Sequence, residues 1–161
     1  MLLNWLKRRS LTQAGRRCWR QREYTQSIHW YEEALALDRS LWGDNHLHVA
    51  QDYDNIDVAY RGMGELARAM EYYQKAIAIL ETISTQHIFL PTPYNHMGIA
   101  CAHNGDYGRA VEYHEKALFI QRKWAGPMAK RVTKTTETLL GSARAKLERE
   151  QRAPDQRLVI R

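Results

Sequence analysis

The sequence predicts an all-α fold, an α-solenoid of three helical hairpins closed by one further helix. Three observations predict it. A twelve-residue pattern occurs three times, over 24–35, 66–77 and 107–118, and its equivalent alanines Ala34, Ala76 and Ala117 are 42 and 41 residues apart. A fixed period of this length marks a stack of small units, none of which can bury its apolar face alone. Within each unit, apolar residues recur at steps of three and four, the spacing of amphipathic helices. A turn signal then separates two such runs, so each unit reads as a hairpin of two helices.

The first repeat, about 4–45, places Leu11, Ala14, Gly15 and Cys18 on one helix, and Tyr24, Ser27, Tyr31, Ala34 and Leu35 on the next. Its first helix is expected over 11–21. Arg22 stands where the other repeats have a turn glycine, which predicts a less regular corner. The second repeat, about 46–86, reads Val49, Tyr53, Ile56 and Tyr60, then the break Gly62-Met63-Gly64, then Leu66, Ala69, Met70, Tyr73, Ala76, Ile77 and Leu80. The alanine stripe lets antiparallel helices approach while Tyr73 fills the space between them.

The third repeat, about 87–127, reads Tyr94, Met97, Gly98 and Cys101, a turn at Asn104-Gly105-Asp106, then Tyr107, Ala110, His114, Ala117 and Leu118. Pro91 and Pro93 lack an N–H, so its first helix should begin near Pro91. A last helix, about 128–150, follows Gly126-Pro127; Val132, Thr136, Leu139, Leu140 and Ala143 continue the first-helix pattern. Its Lys, Arg and Glu face suits a helix that ends a solenoid. These elements make one domain, 1–150. Residues 151–161, with a break at Pro154, read as a flexible tail whose Leu158-Val159-Ile160 could dock on a neighbour.

Composition is that of a globular protein, 44% apolar and 26% charged, with no apolar run of the roughly 20 residues that a membrane span needs. The net charge of +6 is unevenly placed: residues 1–22 carry +7 with no acid, residues 23–120 carry −8, and residues 121–161 carry +7. Such a distribution steers acidic ligands or promotes contact between ends and middle of different copies. The acid-free start has the composition of an organellar presequence. Its helix is needed to complete the first hairpin, however, so a cytoplasmic location is expected. Cys18 and Cys101 hold equivalent positions two repeats apart, beyond the roughly 7 Å reach of a disulfide, and read as reduced core residues.

Chemical motifs are few. Gly62-Met63-Gly64-Glu65-Leu66-Ala67 matches a dinucleotide-binding fingerprint but lies between two helices, where no strand presents it. His96 and His103 are two helical turns apart, about 10 Å, without a Cys or carboxylate to complete a metal set. No paired carboxylates or nucleophile–His arrangement stands apart from the repeat, so no catalytic residue, metal or cofactor is assigned. Nucleic acid is not favoured, because the aromatic residues fall on packing positions and the middle of the chain would repel phosphates.

The residues Tyr53, Ile56, Asp57, Tyr60, Ala69, Tyr73 and Ala76, then Tyr94, Met97, Gly98, Cys101, Ala110, His114 and Ala117, resemble the framework of the tetratricopeptide repeat. The period, with Leu41-Trp42-Gly43-Asp44-Asn45-His46 ahead of the second unit, is similar to the long repeats of the kinesin light chain subgroup. The resemblance covers about residues 8–145 and implies a right-handed α-solenoid whose first helices line a concave groove. Asp57 departs from the framework, standing where Gly or Ala lets the two helices touch. It must find a hydrogen bond or water, and Asp57→Gly is expected to raise the thermal midpoint. His114 replaces the usual aromatic and is expected as a neutral packed ring, with a pH switch near 6 as the alternative.

Carried onto this sequence, the family's groove positions are Arg9, Thr12, Gln13, Arg16, Trp19 and Arg20 in the first unit, and Gln51, Asp54, Asn55, Val58 and Arg61 in the second. The third supplies Asn95, His96, Ile99 and His103, and the last helix Lys134, Thr138 and Arg144. Spacings of three and four place each set on one helix face. Asn55 and Asn95 can bond both N–H and C=O of an extended peptide, and Arg16, Arg20, Arg61 and Arg144 offer forked donors to carboxylates. The family's chaperone-tail clamp expects Lys and Asn where Thr12 and Arg16 stand. The resulting expectation is a non-catalytic adaptor that binds a protein or linear peptide, acidic in character, with no membrane or nucleic-acid partner. The alternative is an assembly unit that stacks end to end on another copy or a folded domain.

Overall fold

The computed structural model describes residues 2–85, 87–126 and 129–156, with the backbone alone for 153–156. The segment Leu158-Val159-Ile160 and the expected turn at Pro127 lie outside the described residues. Among the described residues every regular element is a helix: α1 (Leu2–Arg20), α2 (Tyr24–Trp42), α3 (Leu47–Met63), α4 (Leu66–Ile83), α5 (Pro91–His103), α6 (Tyr107–Ala125) and α7 (Ala129–Gln156). The chain divides between His87 and Ile88 into two compact units.

In the first unit α1 packs on α2, α2 on α3, and α3 on α4. Ala34, Ala59, Ala69 and Ala76 are essentially inaccessible, and these small side chains let the backbones approach. The remaining space is filled by Tyr31 and Tyr73, with Val49, Ile56 and Leu80. Gly15 permits a close approach: a Cβ there would lie 2.5 Å from the Tyr31 ring. The hydroxyl of Ser27 donates to the Gly15 carbonyl at 2.8 Å, tying the same crossing.

In the second unit α6 packs on α5, and α7 on α6 with a lighter contact to α5. Tyr94, Met97, Cys101, Ala110, Ala117, Leu118, Leu140 and Ala143 are buried there. Gly98 repeats the Gly15 arrangement, since a Cβ on it would lie 2.5 Å from the His114 ring.

Three sequence expectations need correction. The Arg22 corner is as regular as the others: Arg22 takes φ +61°, beside +81° at both Gly64 and Gly105. The closing hydrogen bonds are equivalent too, Glu23 N–H to Cys18 O at 2.9 Å, Glu65 to Tyr60 at 3.0 Å and Asp106 to Cys101 at 2.9 Å. The packing of α1 on α2 imposes the left-handed residue, and arginine accepts the strain. Helix α1 begins at Leu2 rather than near Leu11, because nothing in Leu2-Leu3-Asn4-Trp5-Leu6 breaks a helix. Helix α7 passes Pro154 and reaches Gln156; a proline so near a helix end removes one terminal hydrogen bond. The start of α5 at Pro91, with proline in the first turn, is as expected.

Candidate peptide-binding faces

The first unit presents α1 and α3 side by side, both resting on α2. Their closest link is Trp19, whose indole N–H points to the Val58 carbonyl at 3.4 Å while 40% of the residue stays exposed. Arg9, Gln13, Arg16 and Arg20 are all exposed, and the Arg9 guanidinium lies 5.4 Å from the Trp5 ring centre. Thr12 turns its hydroxyl onto the carbonyls of Arg8 and Arg9, both at 3.1 Å. On α3, Gln51, Asp54, Asn55 and Val58 are half-buried and Arg61 is exposed. Helix α1 contains no acidic residue, so every charge on its exposed face is positive.

Beneath this face lie carboxyl groups. Asp57 is fully buried, and burial pushes its pKa up to about 9, against the neighbouring Tyr73 hydroxyl and the Arg61 guanidinium 3.9 Å away. At neutral pH it is a protonated acid, so it needs no counter-charge. Burial also raises Asp54, with Arg61 opposing. At the other end of the helices Arg8 reaches inward to Asp38 at 2.5 Å and toward Asp52 at 3.9 Å, both carboxyls being fully buried. Desolvation and the neighbouring Asp38 hold Asp52 well above the usual carboxylate range, although Arg8 opposes this. Desolvation and Arg8 depress His48 beside them. One arginine thus joins α1, α2 and α3. Sequence reasoning missed this cluster. The available signal was the acids on apolar stripes, Asp38 one turn after Ala34 and Asp52 one turn after Val49.

In the second unit the residues expected to bind divide. Asn95 has both ends of its amide engaged internally: Nδ2 donates to Thr136 Oγ1 at 2.7 Å, and Oδ1 accepts from His114 Nδ1 at 3.1 Å. It therefore joins α5, α6 and α7 through both ends of its amide. That bond places the His114 proton on Nδ1; burial lowers the ring's pKa, so it is neutral, as the packing expectation held. Arg144 pairs with Glu115 of α6 at 2.5 Å, both side chains being exposed. Ile99 and His103 do share a face with α7, around a depression of about 170 Å³ that also involves Leu139, Ser142 and Lys146. The latter three were not foreseen. His96 is half-buried and Lys134 exposed.

A family model described as tetratricopeptide repeat matches residues 8–82. Residues 8–82 are thus a tetratricopeptide-repeat segment. Beyond it, the third hairpin and α7 repeat the same spacing of residues along the sequence. Solved structures show the same fold at 20% identity. BtubC (BKLC) from P. vanneervenii aligns with TM-score 0.66 over 91% of this chain and 62% of its own. A putative kinesin light chain from Podosopora anserina, with nearly identical repeats, aligns with TM-score 0.65 over 95% and 76%. The Sgt2 TPR domain from Aspergillus fumigatus aligns with TM-score 0.58 over 86% and 82%. This chain therefore spans less than two thirds of BtubC. No curated protein matches the sequence. The tetratricopeptide-repeat fold supports a role in protein–protein interaction, and its long period agrees with the kinesin light chain-like subgroup. No helix among the described residues is long and apolar enough to cross a membrane.

Proposed function

We propose that this chain is a non-catalytic adaptor that holds an acidic peptide segment against the face made by α1 and α3. The observation that carries this reading is the acid-free, exposed row Arg9, Gln13, Arg16 and Arg20, with Trp19 anchored on Val58 beside it. Forked guanidinium groups suit carboxylates, and an aromatic plate beside them adds apolar contact. A cytoplasmic setting fits the free thiols of Cys18 and Cys101.

A peptide-display selection on the purified chain tests the reading, with Arg16→Glu/Arg20→Glu as counter-screen. Enrichment of acidic peptides that the double variant no longer retains is the expected result. A selection that enriches nothing on folded protein would refute it. It would then favour the second reading, end-to-end assembly, for which the exposed Leu2, Leu3, Trp5 and Leu6 speak. Light scattering over a concentration series decides that point, since a constant monomer mass excludes assembly.

A further inference from the structure

Helix α7 repeats the buried pattern of α3 at a constant offset of 84 residues. Val49, Asp52, Ile56 and Ala59 become Thr133, Thr136, Leu140 and Ala143, all buried. The same offset puts Gly141 at the position of Asp57, Glu137 at that of Tyr53 and Arg144 at that of Tyr60. On α3 this face is covered by α4: the Tyr72 ring lies 5.4 Å from Tyr60 and 5.9 Å from Tyr53, and buried Tyr73 meets Asp57. On α5 the corresponding Gly98 meets His114 of α6. Among the described residues nothing covers the position on α7: Gly141 is exposed, and a Cβ there would meet none of them within 4 Å.

The open face is one side of a depression of about 750 Å³ between α6 and α7. Leu118, Leu140 and Gly141 form its floor, and Phe119, 59% exposed, stands over it. The ion pairs Arg144–Glu115 at 2.5 Å and Arg122–Glu137 at 3.0 Å border it. Both pairs are surface-exposed, so they can rearrange at small cost.

We propose that this depression is the docking seat for an amphipathic helix of a partner protein, bearing a small residue, an aromatic and a small residue at i, i+4 and i+7. The chain itself shows what such a seat takes. The helices that cover its small-residue positions carry Ser27, Tyr31 and Ala34, then Ala69, Tyr73 and Ala76, then Ala110, His114 and Ala117, all buried. The partner's aromatic ring lies over Gly141 as Tyr31 lies over Gly15, and its apolar flank covers Phe119.

The probe is a fluorescein-labelled synthetic peptide with the sequence of residues 66–83, titrated into the full chain and read by anisotropy. Saturable binding is expected, weakened at least tenfold by Gly141→Leu or Phe119→Glu and by placing Glu at the peptide's Tyr73 position. Both protein substitutions fall on exposed positions, and circular dichroism confirms the fold of each. Arg16→Glu/Arg20→Glu should leave this binding unchanged, which separates it from the peptide-binding face in the first unit. Absence of saturation, or affinity unaffected by Gly141→Leu, would overturn the proposal. So would a dimer of the chain that Gly141→Leu dissolves, since the occupant would then be a second copy.

Discussion

Asp57 buries its carboxyl group against Tyr73 at the α3–α4 crossing, the counterpart of the crossings where Gly15 meets Tyr31 and Gly98 meets His114. A charged form would be costly there, and the protein avoids it by keeping the proton. The folded pKa of about 9 exceeds the ordinary 3.8, so the native state holds a proton that the unfolded chain releases. Stability from this group is complete below about pH 4 and is lost as pH rises through 9. At pH 7 the loss amounts to about 4 kcal/mol at most. Asp57→Gly should therefore raise the thermal midpoint at pH 7 and more so at pH 8. Its advantage should vanish near pH 4, where a helical glycine costs about 1 kcal/mol. Asp57→Asn should flatten the same pH slope. Midpoints by circular dichroism from pH 4 to 9 check this, and a parallel shift at every pH would contradict it.

His114 acts in the opposite direction on the pH axis. Burial lowers its pKa below the usual 6.5, so the unfolded chain takes up a proton that the folded one refuses, and stability is lost as pH falls through about 6.5. His114→Tyr, which copies Tyr31 and Tyr73, should remove the acid-side loss between pH 7 and 5. Equal sensitivity of both proteins in that window would show that another group is responsible.

Arg22 sits at φ +61° where its counterparts are glycines. The left-handed region costs a residue with a Cβ roughly 1–2 kcal/mol. Arg22→Gly should stabilise the chain by about 1 kcal/mol, a rise of a few degrees in the midpoint. Denaturant melts read the change directly, and no increase would mean that the arginine side chain offsets its strain.

One substitution should have opposite effects at equivalent positions. Gly15→Ala and Gly98→Ala drive a methyl to 2.5 Å from a ring and should destabilise by about 1–3 kcal/mol. Gly141→Ala meets open space and should stabilise by up to about 1 kcal/mol through helix propensity. Urea melts of the three variants test the assignment of Gly141 as a repeat position without its covering helix.

Periodicity alone determined which residues face inward: the alanine stripes, the aromatic at each crossing, the two glycine corners and the start of α5 follow from spacing, turn residues and proline chemistry along one stretch of chain. The cationic first helix was legible for the same reason, since charge is a sum over sequence. Tertiary structure decided what each polar group on those faces does. Asn95 looked like a ligand clamp until α6 and α7 supplied His114 and Thr136 as its partners. Arg144, read as a groove residue, found an ion-pair partner in Glu115 of α6. Arg8 looked like surface charge until Asp38 and Asp52 met it from two other helices. A helix period fixes the angle of a side chain about its own axis. The partner that satisfies a buried charge or amide comes from another helix tens of residues away, and only the packed arrangement selects it.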